Sequence, residues 1–217
     1  HLRVYAEQPY TRTNPVREES MATAALTYYT PEEYLALERH AEFKSEYIDG
    51  RIVAMTGASA PHNRIAGSVH AELRARFRNR PCEAFIGDMR VQIGERRRYT
   101  YPDVVAVCDE PKFQDGTLDT LMNPVLIVEV LSPTTEAYDR GEKFQHYRSI
   151  QTLQEYVLIA QDKPLVEQFV RHGEFWHIGS VTGLDASLEL ASVGCTIPLR
   201  EIYERVKFPV PAPESGS

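Results

Sequence analysis

Two acidic residues interrupt apolar runs in the middle of this 217-residue chain. Asp103 precedes the apolar run at 104–107, and Glu129 follows the run at 125–128. Runs this rich in β-branched residues are typical of strands that are covered on both faces. An ionised carboxylate left unpaired there costs roughly several kcal/mol. The sequence therefore predicts two buried strands whose acids need a cation, a hydrogen-bond donor or a metal beside them, and it favours one cation that both acids share.

The segment 136–149, which follows Glu129, predicts a helix that carries a basic residue. Asp139, Lys143 and Tyr147 are spaced four residues apart, so they lie along one helical face. We expect Lys143 to point back toward the strand end. The alternative is an exposed i, i+4 pair with Asp139, which contributes only about 0.2–0.5 kcal/mol.

These residues resemble the PD-(D/E)xK nuclease superfamily and, within it, the bacterial Uma-type restriction-endonuclease-like family. The likeness extends from residue 29 to about 206 and is carried by motifs in order: Thr30-Pro31-Glu32-Glu33-Tyr34, Ser45-Glu46-Tyr47-Ile48-Asp49-Gly50, His62, Tyr101-Pro102-Asp103, Val128-Glu129-Val130-Leu131-Ser132-Pro133 and the face of Asp139, Lys143 and Tyr147. The position two after Glu129, where the superfamily's lysine usually stands, is Leu131. If catalysis follows the superfamily pattern, the positive charge of that lysine has to come from Lys143 on the helix.

The resemblance implies an α/β (α+β) domain with a restriction-endonuclease-like core, in which a mixed β-sheet is flanked by helices. It implies an endonuclease that hydrolyses DNA phosphodiester bonds with Mg²⁺, for which Mn²⁺ can substitute. Such hard cations prefer oxygen ligands. The residues to which it gives catalytic roles are Glu46, Asp103, Glu129 and Lys143. The metal ligands among them are Asp103, Glu129 and Glu46.

Three of the candidate residues have a plainer interpretation beside the functional one. His62 begins a predicted helix, where an imidazole can meet a phosphate, activate water or cap the turn. Glu46 lies on a predicted hairpin strand and is either a third metal ligand, a supporting base or an ordinary acid on the sheet surface. Tyr147 is interpreted as a packing residue whose hydroxyl supports the site.

The rest of the pattern predicts the frame around these residues. It includes a helix at 31–40, a hairpin about Asp49-Gly50 and an amphipathic helix at 62–80 with an apolar stripe at Ile65, Val69, Leu73 and Phe77. A strand pair follows at 82–93 and 99–108. The irregular segment 111–123 is compatible with a lid or a binding loop.

Two groups of arginines are candidates for nucleic-acid contact. Arg74 and Arg78 share one line of the helix at 62–80, and Arg96, Arg97 and Arg98 lie at the predicted hairpin tip. The more usual role of such charges is to keep a surface or a tip soluble. The formal charge of −7 argues against tight non-specific coating of nucleic acid.

Composition also limits the setting of the protein. The three cysteines, Cys82, Cys108 and Cys195, form no CxxC pair, so we expect neither a disulfide framework nor a thiolate zinc site. A protein without disulfides is typical of the reducing cytoplasm, so we expect a cytoplasmic location. No apolar run approaches the roughly 20 residues of a membrane span, so a membrane is not an expected partner.

The chain is expected to fold as one domain at residues 21–208. Residues 1–20 are polar and aperiodic and are interpreted as a disordered leader or an added extension, and 209–217 as a disordered tail. We expect a homodimer, because duplex cleavage by a symmetric enzyme requires two active sites.

The residues leave two other classes of function open. One is a catalytically silent nuclease-fold module that binds DNA or serves in defence, which is favoured by Leu131 at the usual lysine position. The other is a metal-binding or purely structural subunit of an oligomer, which would bind metal without any effect on nucleic acid.

Overall fold

The computed structural model describes residues 27–94 and 98–209. The helices are α1 (Pro31–Glu38), α2 (Ala60–Arg76), α3 (Glu136–Tyr138), α4 (Phe144–Tyr147) and α5 (Leu199–Ile202), with a π-helical turn at Asp139–Lys143 and a 3-10 turn at Ala191–Val193. The strands are β1 (Ser45–Ile48), β2 (Arg51–Ala54), β3 (Cys82–Ile86), β4 (Arg90–Ile93), β5 (Arg98–Thr100), β6 (Val104–Cys108), β7 (Thr120–Leu121), β8 (Leu126–Leu131), β9 (Glu155–Ala160), β10 (Leu165–His172), β11 (Phe175–Thr182), β12 (Ser187–Leu190) and β13 (Cys195–Pro198). The expectations for residues 1–20 and 210–217 lie outside the described residues.

The described strands form two main sheets and a small one. The six-stranded sheet has the order β11-β10-β9-β8-β6-β3, and the five-stranded sheet has the order β2-β1-β5-β4-β7. β12 and β13 form the separate pair. β8 runs parallel to β9, and β4 parallel to β7, whereas the other pairs are antiparallel. The fold is the predicted mixed α+β arrangement.

The predicted strand pair at 82–93 and 99–108 is wrong in one respect, because each strand is broken in two. β3 and β6 pair in the six-stranded sheet, and β4 and β5 pair in the five-stranded sheet. One break falls at Gly87, whose φ of +64° suits glycine, and its N–H donates to the Asp103 carbonyl oxygen over 3.0 Å. The hairpin thus changes sheets at Asp103, as strands do at the corners of packed sheets.

Helix α2 confirms the predicted amphipathic stripe, but it begins two residues earlier, at Ala60, and ends at Arg76 instead of residue 80, so Arg78 lies beyond it. Ser59 caps it, accepting from the His62 N–H over 3.2 Å. Ile65, Val69 and Leu73 are at most 1% exposed and belong to the core on one face of the six-stranded sheet. The helix therefore anchors its N-terminus at the sheet end that carries Asp103.

Strand β13 and the contacts of Glu155 were not predicted from the sequence. β13 lies in a segment with no strong alternation, and it pairs with β12. Glu155 opens β9 with no exposed surface, and its carboxylate accepts from the backbone N–H groups of Ala191 and Ser192 and from the Gln168 side chain. This buried acid connects the central sheet to the small one.

The segment 111–123, considered as a lid, is held against α1 and β4. Arg39 of α1 pairs with Asp115 at 2.6 Å and with Asp119 at 2.9 Å. Arg90, which is 3% exposed, also reaches Asp119, at 3.0 Å. The segment further contains β7, which the sequence did not predict.

The expectation of no disulfide is contradicted, because Cys82 and Cys108 are bonded to each other. They lie directly opposite in the β3–β6 pair, which brought together two residues 26 positions apart. β3 is the edge of its sheet, so the bond ties this edge strand to β6. Cys195 is the free cysteine.

None of the helices in the described ranges is long and apolar enough to cross a membrane.

The disulfide predicts a thiol count and a loss of stability. The unfolded, unreduced protein should titrate one thiol, from Cys195, and three after reduction. Cys82→Ser should lower the free energy of unfolding in urea by about 2–4 kcal/mol, because the bond restricts the unfolded chain. Three reactive thiols before reduction would contradict the pairing.

Candidate active site

The cation beside Glu129 is the ammonium group of Lys143. Glu129 lies in β8, whose residues are all buried, and is 4% exposed. Lys143 is 7% exposed, and its Nζ lies 2.8 Å from Glu129 Oε1. The same Nζ lies 3.4 Å from Asp139 Oδ1 and 3.7 Å from Glu46 Oε1. One ammonium thus compensates three carboxylates that the core would otherwise penalise.

The helix that carries Lys143 is not a regular α-helix. The turn at Asp139–Lys143 is π-helical, and α-helical turns precede and follow it. Asp139, Lys143 and Tyr147 are all buried, so the predicted face does point inward. Tyr156 holds the turn by donating to the Asp139 carbonyl oxygen over 3.0 Å. Single π-helical turns within helices are frequent at functional sites.

Tyr147 contacts the same carboxylate from α4. Its hydroxyl donates to Glu129 Oε1 over 2.8 Å. That hydroxyl has one proton, so Thr100 Oγ1, 3.0 Å away, donates to the Tyr147 oxygen. Burial raises the pKa of Tyr147 well above its ordinary value, and the charge of Glu129 acts in the same direction. Tyr147 is therefore a neutral donor that fixes Oε1.

Asp103 lies just outside β6 and is not a buried strand residue. Its side chain is 22% exposed, and it stands one residue beyond the last pair of β6 and β8, Val104 and Val128. Continuing that register places it opposite Glu129. Asp103 Oδ2 accepts from the Val130 N–H over 2.7 Å and lies 3.1 Å from His62 Nε2. Lys143 thus pairs with Glu129, whereas Asp103 contacts His62.

His62 reaches Asp103 from the first turn of α2. Its ring is 15% exposed, and its buried Nδ1 has no hydrogen-bond partner among the described residues. Ser59 Oγ accepts from the His62 N–H and donates to Gln161 Oε1 over 2.7 Å. Gln161 Nε2 in turn donates to the Leu131 carbonyl oxygen over 2.9 Å. This chain of contacts fixes the start of α2 against the end of β8.

Sequence reasoning missed Ser59 and Gln161. A serine before Ala-Pro at a helix start is a recognisable N-cap signal, so Ser59 was detectable. Gln161 follows β9 without a local signal, and only the parallel pairing of β9 with β8 brings it near Leu131.

Burial is the main reason why the pKa of Glu129 is raised. Burial raises it from 4.5 to about 8, Lys143 opposes the rise, and the charges of Asp103 and Asp139 add to it. The pKa of Lys143 is raised well above its ordinary value, because its carboxylate neighbours outweigh its burial. Lys143 therefore stays charged, and Glu129 is the group of this pair that titrates near neutral pH.

Asp103 and Glu129 can provide two of the oxygen ligands that a hard divalent cation needs. Among the described residues, no three His, Cys, Asp or Glu side chains are grouped to hold a metal. Mg²⁺ needs only one or two protein carboxylates beside water and substrate. Asp103 Oδ1 and Glu129 Oε2 make no hydrogen bond within the described ranges, and the two side chains come from neighbouring strands. A two-carboxylate site fits, with Glu46 further away across Lys143.

The candidate arginines do not gather at the carboxylates. Arg74 and Arg78 are exposed, and Arg74 lies twelve residues after His62, or about 18 Å along the helix. Arg98 pairs with Asp49 on the β1–β2 turn. Arg96 and Arg97 lie outside the described residues.

The raised pKa of Glu129 predicts a change of stability with pH. Between about 5 and 8 the folded protein keeps a proton on Glu129 that the unfolded chain releases. The free energy of unfolding should therefore fall as pH rises through this range, by up to about 1.4 kcal/mol per unit. Glu129→Gln cannot titrate and should lack this fall. Urea unfolding of both proteins measures it, and parallel pH profiles would contradict the raised pKa.

Comparison with known proteins gives one family and one fold. The family model Uma2, described as "Putative restriction endonuclease", matches residues 31–200. A crystal structure from Anabaena variabilis ATCC 29413, described as "a putative nuclease belonging to DUF820", has a TM-score of 0.68. It is 20% identical and covers 81% of this chain and 97% of its own. This likeness confirms the expected fold class.

Two proteins from Synechocystis sp. (strain ATCC 27184 / PCC 6803 / Kazusa) are similar over most of their length. "Uncharacterized protein sll1609" is 40% identical over 172 residues, which are 79% of this chain and 97% of that protein. "Uncharacterized protein slr1290" is 36% identical over 180 residues, or 82% and 93%. With the family match spanning 31–200 and these relatives covered almost completely, the chain belongs to the Uma2 family, as the Uma-type resemblance predicted.

Proposed function

We propose that this protein is a metal-dependent endonuclease that hydrolyses phosphodiester bonds of DNA. The observation that carries the proposal is the meeting of Asp103 and Glu129 at the end of adjacent strands, with Lys143 on Glu129. The Uma2 family membership supports a nuclease-like protein. The substrate, the metal and the residue roles are our inference from the chemistry of these side chains.

Asp103 and Glu129 would hold one Mg²⁺, for which Mn²⁺ can substitute. When bound, the cation supplies polarisation of the phosphoryl oxygen and a lower pKa for a bound water. Val130 N–H and His62 hold Asp103 Oδ2, which leaves Oδ1 for the cation. Tyr147 and Lys143 hold Glu129 Oε1, which leaves Glu129 Oε2 for the cation. Groups that fix ligand orientation in this way raise metal affinity.

Lys143 is the catalytic cation in this proposal. Its ammonium lies 2.8 Å from Glu129, so it stands beside any phosphate that shares the metal with that carboxylate. A positive charge fixed there before reaction stabilises the charge that develops on the phosphoryl group. Glu46, 3.7 Å away, keeps the lysine charged and oriented instead of contributing a close third ligand.

The molecular setting of this activity follows from the same chemistry. We propose one catalytic domain at residues 21–208 that acts as a homodimer, because two strands of a duplex require two sites. Of the three arginines predicted at the hairpin tip, Arg98 lies within the described residues, at the first position of β5. Arg74, about 18 Å along α2 from His62, and Arg78, beyond the end of α2, are too far away to contact the cleaved phosphate.

One observation favours the rival function, a silent nuclease-fold module that binds DNA or serves in defence. Lys143 is engaged by Glu129, Asp139 and Glu46 at once, and Leu131 holds the superfamily's usual lysine position. A lysine so occupied can be a purely structural cation. Wild-type protein that binds DNA but cleaves none with Mg²⁺ or Mn²⁺ would support this rival.

The two-carboxylate site predicts a defined loss of metal binding. Asp103→Ala and Glu129→Ala should each abolish Mn²⁺ binding in a calorimetric titration, because each removes one of two protein ligands. Asp185→Ala is the matched control, since Asp185 is 95% exposed and pairs with Arg200. Wild-type binding by both site variants would place the metal elsewhere.

Lys143→Met keeps the side-chain stem and removes the charge. It should lower turnover on plasmid and single-stranded substrates by about 10²- to 10⁴-fold, the range for loss of one fixed electrostatic or acid–base group. Mn²⁺ affinity should not fall, because the ammonium competes with the metal for Glu129.

The control for that variant is Lys163→Met, which removes an exposed lysine after β9. Cleavage by Lys143→Met at the wild-type rate would reject the catalytic role of this lysine while leaving the metal site intact.

A further inference from the structure

Residues 53–60, which we call the wall, run from the position opposite Glu46 to the start of the helix whose His62 contacts Asp103. This segment connects β2, an edge strand, to α2 with the sequence Val-Ala-Met-Thr-Gly-Ala-Ser-Ala. Every residue in it is exposed, and none is charged. Val53 at its start pairs directly opposite Glu46, and His62, two residues after its end, contacts Asp103. The wall therefore borders the site from Glu46 to His62.

Val53 and Met55 expose apolar side chains on the face that carries Glu46. Directly opposite residues of an antiparallel pair have their side chains on the same face, which places Val53 beside Glu46. Met55 continues the alternation, with its N–H donating to the Lys44 carbonyl oxygen over 3.0 Å. Val53 is 45% exposed and Met55 is 36% exposed. Two apolar side chains thus stand in the open beside a cluster of acids.

The chemistry of this wall matches a nucleoside better than a phosphate. Side-chain contacts to phosphate come mostly from Lys, Arg and polar groups, and 53–60 contains no lysine or arginine, so its polar side chains are the hydroxyls of Thr56 and Ser59. The Ser59 hydroxyl is already used by the His62 N–H and Gln161. Apolar side chains pack against bases that are unstacked, and a single strand offers such bases at lower cost, because a duplex must first be unstacked at a cost of roughly a few kcal/mol per step.

We propose that Val53 and Met55 pack against an unpaired nucleoside next to the scissile phosphate, and that the site therefore takes single-stranded DNA in preference to duplex. The inference rests on the proposed function, which puts the phosphate at Asp103 and Glu129. The contact is apolar and adds nothing to the counterion release that makes phosphate contacts sensitive to salt.

The test compares a double variant, Val53→Thr with Met55→Gln, with the control Ile178→Thr. Ile178 is an equally apolar side chain, 67% exposed on β11, the edge of the other sheet. Fluorescence anisotropy measures binding to a labelled single strand and to a duplex of the same sequence. The double variant should lose about tenfold in affinity for the single strand. This loss should be equal at about 50 and 200 mM salt, and the control should bind as wild type.

The inference is overturned if the double variant and wild type bind the single strand equally, or if Ile178→Thr loses as much. Tighter wild-type binding to duplex, or no binding to the single strand, overturns it as well. Thermal unfolding of the three proteins excludes misfolding as the cause of a loss. Cleavage with Mn²⁺ is followed separately. A specific loss of binding in the double variant, with no cleavage by wild type, keeps the contact and rejects the nuclease activity.

Discussion

The ion pair between Lys143 and Glu129 connects the core of the sheet to the helix that covers it. The Lys143 ammonium, 7% exposed, needs the Glu129 carboxyl group beside it, and once Glu129 is ionised, above about pH 8, removal of one partner of this buried pair costs about 3–5 kcal/mol. The contact between Lys143 and Glu129 therefore fixes the position of the π-helical turn relative to β8. Tyr147 strengthens the connection from the next turn by donating to the same carboxylate oxygen. Stability and site geometry depend on the same three side chains.

Around this pair, the two sheets meet where the strand breaks fall. Because the chain leaves β5 for β6 at Asp103, one continuous segment places Thr100 in one sheet and Asp103 beside the other. Glu46 approaches from β1, which pairs with β5. His62 approaches from α2, which covers the opposite face of the six-stranded sheet. The site is therefore assembled from elements that share no single layer.

Burial and periodicity were enough to predict from the sequence that Lys143 reaches the buried Glu129. A carboxylate after four apolar β-branched or aliphatic residues needs a partner wherever the chain folds, so Glu129 was identifiable. The prediction that Asp139, Lys143 and Tyr147 share one face holds despite the π-helical turn, because all three side chains are buried. These inferences depend on local patterns and on the cost of burying charge.

What the sequence could not provide depends on pairing between distant strands. The Cys82–Cys108 bond follows from a register that no local pattern encodes. The change of sheet at 87–90 and 101–103 was hidden because the residues on either side keep the same alternating texture. Glu155 was missed for another reason: its donors come from a 3-10 turn more than thirty residues later, which local patterns do not place nearby.

The alternation of β8 explains how the lysine can come from the helix. Ile127, Glu129 and Leu131 point to the same face, and Ile127 and Leu131 belong to the cluster that includes Phe144 and Tyr147. Leu131 therefore fills core space on the side where the superfamily's lysine usually stands. The helix packed on that face begins its last turn at Phe144, so the residue before it, Lys143, enters the same layer within reach of Glu129. The ammonium thus reaches the face of β8 to which Glu129 and Leu131 point, and the strand keeps an apolar residue for packing.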